Sequence, residues 1–210
     1  QTRLTEKIAP PGASRIRHTA VFKKEIVTVL RGIANSAGIS FSRFIIAAIF
    51  AYLYRATGNP SPTVNLPVSS RSPQDRQTPG MMVNVLPLRI PEGPSVKICE
   101  LGALVDREIL RILPHKRYPL VELRKEMRDL ANEGETFGPI VNIHSFNYNF
   151  RFSDSAIFNQ NTSTRFVLDF SIVAYNRRDG EDLFIDFDAN ANVYDIGDLI
   201  SHQKRFFRLL

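Results

Sequence analysis

The side chains in this 210-residue chain with nucleophilic or proton-transfer chemistry to offer are four histidines, the pair Ser69-Ser70 and one cysteine, Cys99. None of His18, His115, His144 and His202 pairs with another at zinc-ligand spacing, and no carboxylate follows any of them by one helical turn. His202 has Asp198 one turn before it, which reads as a surface pair. His115 stands beside Lys116 and Arg117 in a turn between helices and reads as solvated. His144 lies mid-strand between Asn142 and Phe146. It is either a buried, hydrogen-bonded imidazole or a cavity-lining one. No glycine elbow surrounds the serines, and Cys99 falls early in an amphipathic helix, where it reads as packing. Asp186-x-Asp188-x-Asn190-x-Asn192 opens like a calcium loop, but Ala191 and Gly197 stand where that loop needs a glycine and an acid. It reads instead as a polar strand end followed by a helix cap. With no glycine-rich phosphate loop and no CxxC pair, the residues do not compose a catalytic set.

What they do offer is polar groups set in apolar strands. Two short runs, Val64–Val68 and Met81–Ile90, are separated by a loop rich in Pro, Gly and charge. They read as a strand pair with a polar connection. Asn84, between Val83 and Val85, must find a hydrogen-bond partner or face a wet cavity. The run from Ile140 to Phe150 alternates, with Ile140, Asn142, His144, Phe146 and Tyr148 on one side and Val141, Ile143, Ser145, Asn147 and Asn149 on the other.

The elements that must position these groups follow from periodicity. Residues 1–13, with two adjacent prolines, read as a linker. A strand over Arg15–Phe22 places Ile16, His18, Ala20 and Phe22 on one face. A helix over Lys23–Ala37, with Ile26, Val29, Leu30, Ile33 and Ala37 as its apolar stripe, closes at Gly38. Ser40 caps a helix to Thr57 that is apolar nearly all round, as a helix between layers must be. Ser95 is read as the cap of a helix with Ile98, Leu101, Val105 and Ile109 inward, and Pro119 opens another. Strands over Phe166–Tyr175 and Leu183–Asp188 flank an Asp179-Gly180 turn. Asp195 caps a last helix with Ile196, Leu199, Ile200, Gln203, Phe207 and Leu210 inward. The order β-α-α-β-β-α-α-β-β-β-α implies an α/β fold, a two-layer sandwich with a mixed β-sheet.

Composition is that of an ordinary globular protein, 43% hydrophobic and 23% charged. One cysteine excludes an internal disulfide and fits a reducing, cytoplasmic setting. No apolar run approaches the ~20 residues of a membrane span, so no membrane partner is expected. The net charge of +6 comes from Lys and Arg scattered at helical spacing, without the basic-aromatic platform of a nucleic-acid binder, so no nucleic acid is expected either.

Four segments, in order, carry a family likeness. They are Leu66-Pro67-Val68-Ser69-Ser70-Arg71 with Pro79-Gly80-Met81-Met82-Val83-Asn84-Val85-Leu86-Pro87-Leu88-Arg89, then His115-Lys116-Arg117-Tyr118, then Phe137-Gly138-Pro139-Ile140-Val141-Asn142-Ile143 with Phe146-Asn147-Tyr148, and last Ala189-Asn190 to Tyr194 with the helix Leu199–Leu210. Together they resemble the second half of the condensation domain of nonribosomal peptide synthetases, of the siderophore-synthetase kind. The resemblance implies a lobe like half of chloramphenicol acetyltransferase, over residues 14–210. It implies amide formation between thioesters carried on phosphopantetheine arms, in a tunnel between two lobes. The implied partners are the N-terminal lobe, peptidyl carrier domains and a neighbouring adenylation domain, with no cofactor bound directly.

The family's His-His-x-x-x-Asp-Gly signature does not occur in these 210 residues. The chain is therefore expected to build one tunnel wall, with no catalytic residue and no metal of its own, and to be inactive alone. Asn84, His144, Asn147 and Asn149 are the candidates for the substrate channel. Arg71 is a candidate contact to the other lobe or to a pantetheine phosphate. The alternative is a non-catalytic condensation-like module that recruits carrier or partner proteins.

Overall fold

The computed structural model describes residues 2–7, 9, 14–91, 97–131, 138–144, 161, 170–176 and 181–210. Its elements are β1 (Arg15–Phe22), α1 (Lys24–Ser36), α2 (Phe41–Thr57), β2 (Thr63–Ser69), β3 (Val83–Arg89), α3 (Ile98–Ile112), α4 (Leu120–Ala131), β4 (Ile140–His144), β5 (Phe170–Asn176), β6 (Leu183–Asn190) and α5 (Ile196–Phe207). Six strands form one mixed sheet in the order β1-β6-β5-β4-β2-β3. The pairs β2–β4 and β4–β5 are parallel, and the others are antiparallel. This is the expected element order and the expected two-layer α/β class.

Register sorts the sheet into two faces. His18, Phe187, Ile172, Val141 and, further across, Val64 and Leu88 share the face that packs on helices. There Phe170, Phe187 and Phe206 meet edge-on or tilted, with Phe170 and Phe187 centroids 5.3 Å apart. Each such fully buried side chain contributes about 1.5–3 kcal/mol over leaving it in water. α2 is buried without interruption from Phe44 to Phe50, as its all-round apolar sequence requires. Ser40 Oγ accepts from the Arg43 amide, and Gly58 ends α2 at φ 67°. No single helix among the described residues is long and apolar enough to cross a membrane.

The buried stripes of two helices and the place of one histidine differ from expectation. α1 buries Val27, Leu30 and Ala34, while Ile26, Val29 and Ile33 are 48%, 62% and 42% exposed. Two neighbouring stripes of this helix are apolar, so its period does not choose between them; docking on α2 does. In α5 the buried residues are Leu199, Gln203 and Phe206, with Ile196 exposed at 47% and Phe207 only half-buried. His202 is not in a surface pair. Its Nδ1 lies 2.5 Å from Tyr52 Oη, and its ring packs against Phe170 and Tyr194. Its helix stands on the sheet rather than beside it, which turns that position inward.

The N-cap of α3 lies two residues after the expected one. Lys97 is the N-cap, and its backbone N–H donates to Glu100 Oε2 at 3.1 Å; Ser95 lies outside the described residues. So do the Asp179-Gly180 turn, residues 145–160 and the first residues of the strand expected from Phe166. The N-terminal segment is more than a linker. Thr2 is fully buried, and its Oγ1 accepts from the Thr63 amide at 2.7 Å.

Candidate functional site

Residues of β4, β5, β6 and β1 that alternate with the core positions form the second sheet face. Register aligns them in rows: Ile140, Ser171, Asp188 and Arg17; Asn142, Val173, Asp186 and Thr19; His144, Tyr175, Phe184 and Val21. Asn65 of β2 extends the first row beside Ile140.

The first two rows hold an ion cluster. Arg17 donates from Nε to Asp188 Oδ1 at 2.6 Å and from Nη2 to Oδ2 at 2.9 Å, a two-point fork. Its Nη1 donates to the Asn161 carbonyl at 2.6 Å and lies 3.5 Å from Asp186 Oδ2. Asp186 also accepts from Thr19 Oγ1 at 2.7 Å and Asn161 Nδ2 at 2.8 Å. Arg15 Nη1 stands 3.7 Å from Asp188. Both carboxylates are fully buried, and two guanidiniums and neutral donors face them, the partners that burial of such groups requires. The Arg17 guanidinium is held charged above its usual range, chiefly by its hydrogen bonds to Asp188. The polar strand end read in Asp186-x-Asp188 is thus one half of a ladder whose other half is Arg15-x-Arg17-x-Thr19. Complementary charge at period two in two strands was the signal for it.

His144 ends the third row, which is otherwise aromatic and aliphatic; Tyr175 and Phe184 stack at 5.6 Å. Burial in that row pushes the imidazole below its ordinary pKa, so it is neutral near pH 7. Asn142 Nδ2 lies 3.0 Å from His144 Nε2. An amide nitrogen donates, which assigns Nε2 as the acceptor and the proton to Nδ1. Asn147 and Asn149 lie outside the described residues.

Asn84 stands elsewhere. It pairs with Val68 on the helix-packed face, at the sheet's outer strand. Its Nδ2 donates to the carbonyls of Tyr118 at 2.6 Å and Lys116 at 3.0 Å, and its Oδ1 accepts from the Leu120 amide at 3.4 Å. The partner that a strand asparagine requires is therefore the turn before α4. Arg71 is engaged in the same unit. Its Nη1 donates to the carbonyls of Asp75 at 2.7 Å and Thr78 at 2.6 Å, and its Nη2 to that of Gly80. Lys116 Nζ returns to the Arg71 carbonyl at 2.7 Å. Asp75 accepts from Ser72 Oγ and the Ser72 amide, and these bonds hold its carboxyl below the usual range. The motif segments around Arg71, Asn84 and His115–Tyr118 are therefore one hydrogen-bonded clip. His144 belongs to the opposite sheet face. Among the described residues no group of three His, Cys, Asp or Glu side chains is placed to hold a metal.

These features define a two-layer α/β fold, with the described helices on one sheet face and a buried ion cluster and His144 on the other. The chain belongs to the condensation-domain family of nonribosomal peptide synthetases: the model described as Condensation domain matches residues 3–210. It is 33% identical over 208 residues to a dimodular nonribosomal peptide synthase of Bacillus subtilis (strain 168), covering 99% of this chain and 9% of that protein. It is also 33% identical over 213 residues to an isonitrile lipopeptide synthase of Streptomyces coeruleorubidus, covering 96% of this chain and 14% of that one. The first condensation domain of the CDA synthetase superposes with a TM-score of 0.88 at 27% identity, over 99% of this chain and 46% of that structure. The chain thus spans under half of a solved condensation domain and a small part of its curated relatives.

Proposed function

We propose that these residues form the C-terminal lobe of a condensation domain and one wall of its substrate tunnel. The observation that carries this reading is one of coverage. Nearly all of the chain, 99%, superposes on 46% of a condensation-domain structure, and its 210 residues contain no His-His pair. In the reaction the acceptor's amine nitrogen attacks the donor's thioester carbonyl. A C–N bond forms, the C–S bond breaks, and the proton that the amine nitrogen loses ends on the departing sulfur, which leaves as the pantetheine thiol. Both substrates ride on phosphopantetheine arms of carrier domains, and an adenylation domain neighbours the lobe in a cytoplasmic assembly.

In this reading the lobe positions rather than transfers protons. His144 and Asn142 present a neutral imidazole and an amide from the sheet face opposite the described helices, and Asn147 and Asn149 remain channel candidates by sequence. Oriented donors and acceptors alone supply a large share of such rate enhancement. Asn84 and Arg71 do not line the same face as His144; they hold the loop after β2 and the turn before α4 together. The test is to join these residues to a lobe bearing His-His-x-x-x-Asp-Gly and supply two loaded carriers. Intact-mass analysis of the acceptor carrier should show the amide, and replacing that signature's second histidine should abolish it. Product that is indifferent to that histidine would refute the reading.

A further inference from the structure

Thr2 is fully buried, although the first strand begins only at Arg15. Its Oγ1 accepts from two donors, the Thr63 amide at 2.7 Å and Asn59 Nδ2 at 3.3 Å. A Cβ added to Gly138 would lie 3.3 Å from Thr2 Cβ, so the glycine before β4 leaves the room that Thr2 fills. The cradle thus draws on three places in the fold: the residue after the Gly58 cap of α2, the first residue of β2, and the glycine before β4. Asn65 Nδ2 holds that glycine in turn, donating to its carbonyl at 2.7 Å. After Thr2, Leu4 and Ala9 lie against the core, and the Lys7 amide donates to Thr5 Oγ1 at 3.3 Å. A segment that reads as a linker is therefore fastened at its upstream end.

We propose that Thr2 is a positioning residue for the condensation reaction: it fixes the point at which the preceding lobe joins this one, and with it the orientation of the two tunnel walls. The proposal rests on the reading that a lobe bearing His-His-x-x-x-Asp-Gly precedes these residues. Left free, the stretch from Thr2 to β1 would be a tether whose ends wander over about 20 Å, at roughly 5–6 Å times the square root of its length. A reaction that depends on orientation does not tolerate such slack, since a misplacement of about 1 Å can cost on the order of 10²-fold in rate. Burying Thr2 removes the slack. The place of attachment matters as well. Gly138 leads directly into β4, an inner strand of the sheet, and His144 ends that strand about 13 Å further on. The incoming chain and the imidazole proposed for the channel are thus attached at the two ends of one strand. Threonine suits the cradle because its hydroxyl meets two donors that would otherwise lack an acceptor.

The test uses the whole polypeptide in which these residues occur. Spin labels are placed on the preceding lobe and at Leu110, which is 60% exposed, through ketone-bearing unnatural residues that spare Cys99. Pulsed electron resonance then reads the distribution of distances between the lobes. Thr2→Glu, too large and too polar for the cradle, should widen that distribution by several ångströms. It should lower kcat for amide formation about tenfold and leave KM for the loaded carriers unchanged. Thr2→Ser keeps the acceptor and should restore both readouts. Phe206→Leu, a core change in α5 away from the cradle, should lower the thermal midpoint and leave the distances narrow. Parent-like distances and kcat in Thr2→Glu, or equal widening in Phe206→Leu, would overturn the role given to Thr2. Product in the parent that ignores the signature's second histidine would instead overturn the tunnel reading, and this proposal with it.

Discussion

Arg17 and Asp188 meet through two parallel hydrogen bonds, 2.6 and 2.9 Å, across the β1–β6 pairing at which their backbones are also in register. Asp188 is fully buried while its partner's side chain keeps 23% exposure. Removing the arginine therefore strands a charge inside the protein, whereas removing the acid leaves one with a route to water. Arg17→Met should destabilise by about 3–5 kcal/mol. Asp188→Asn should cost less, and the paired replacement Arg17→Met with Asp188→Leu should recover part of the loss. Urea denaturation of the three variants measures this; additive losses would mean that the two side chains do not act as a unit.

Asn84 gives a second test, because a clip and a channel group respond differently. Asn84→Ala leaves two carbonyls and one amide of the 116–120 turn without their partner. It should cost about 1–3 kcal/mol, and the Leu120 amide should exchange its hydrogen faster. Unchanged stability and exchange would remove the structural role described for Asn84.

Gly138 sits where any side chain collides. Its φ is 132°, and an added Cβ would lie 2.0 Å from the Thr63 carbonyl oxygen. Asn65 Nδ2 donates to the Gly138 carbonyl at 2.7 Å just before β4 begins. Gly138→Ala should push β4 from β2 and lower the thermal midpoint by several degrees, corresponding to about 1–3 kcal/mol. A midpoint equal to that of the parent protein would contradict this packing.

Acid should destabilise the fold in two stages. Burial holds His144 and His202 below their ordinary value of 6.5 in the folded chain. The unfolded chain therefore takes up protons first as pH falls through 6.5, and stability declines from there down to the folded values. Asp75 and Asp182 are held below 3.8, largely by hydrogen bonds from Ser72 and Lys23. Their contribution is present above 3.8 and is lost as pH falls through their folded values. His144→Gln should make the upper stage shallower, leaving the share of His202, and should leave the lower one. Chemical denaturation in steps from pH 7.5 to 3 reads both slopes; an unchanged upper slope would mean that His144 does not contribute to it.

Element order and most boundaries were legible in the sequence because period and punctuation agree: Ser40 and Gly58 bracket α2, and alternation marks β1. What period does not encode is which of two apolar stripes docks, hence the exposed Ile26, Val29 and Ile33 on α1. Nor does local spacing reveal pairing between distant strands. Asp186 and Asp188 read as a strand end until β1, 167 residues from Asp186 at Thr19, supplied their partners. Asn84 was recognisable as a group needing company, but its partner lies across a helix, in the turn at Lys116–Leu120. The family likeness was legible because its motif residues hold one another, as Arg71, Asn84 and Lys116 do.

The most direct measurement is a turnover assay on residues 1–210 alone, with donor and acceptor carriers both loaded and product read by intact mass of the acceptor. A lobe that only shapes and lines the tunnel leaves the acceptor at its unmodified mass. Accumulation of the amide on the acceptor, above a control lacking the protein, would contradict the account.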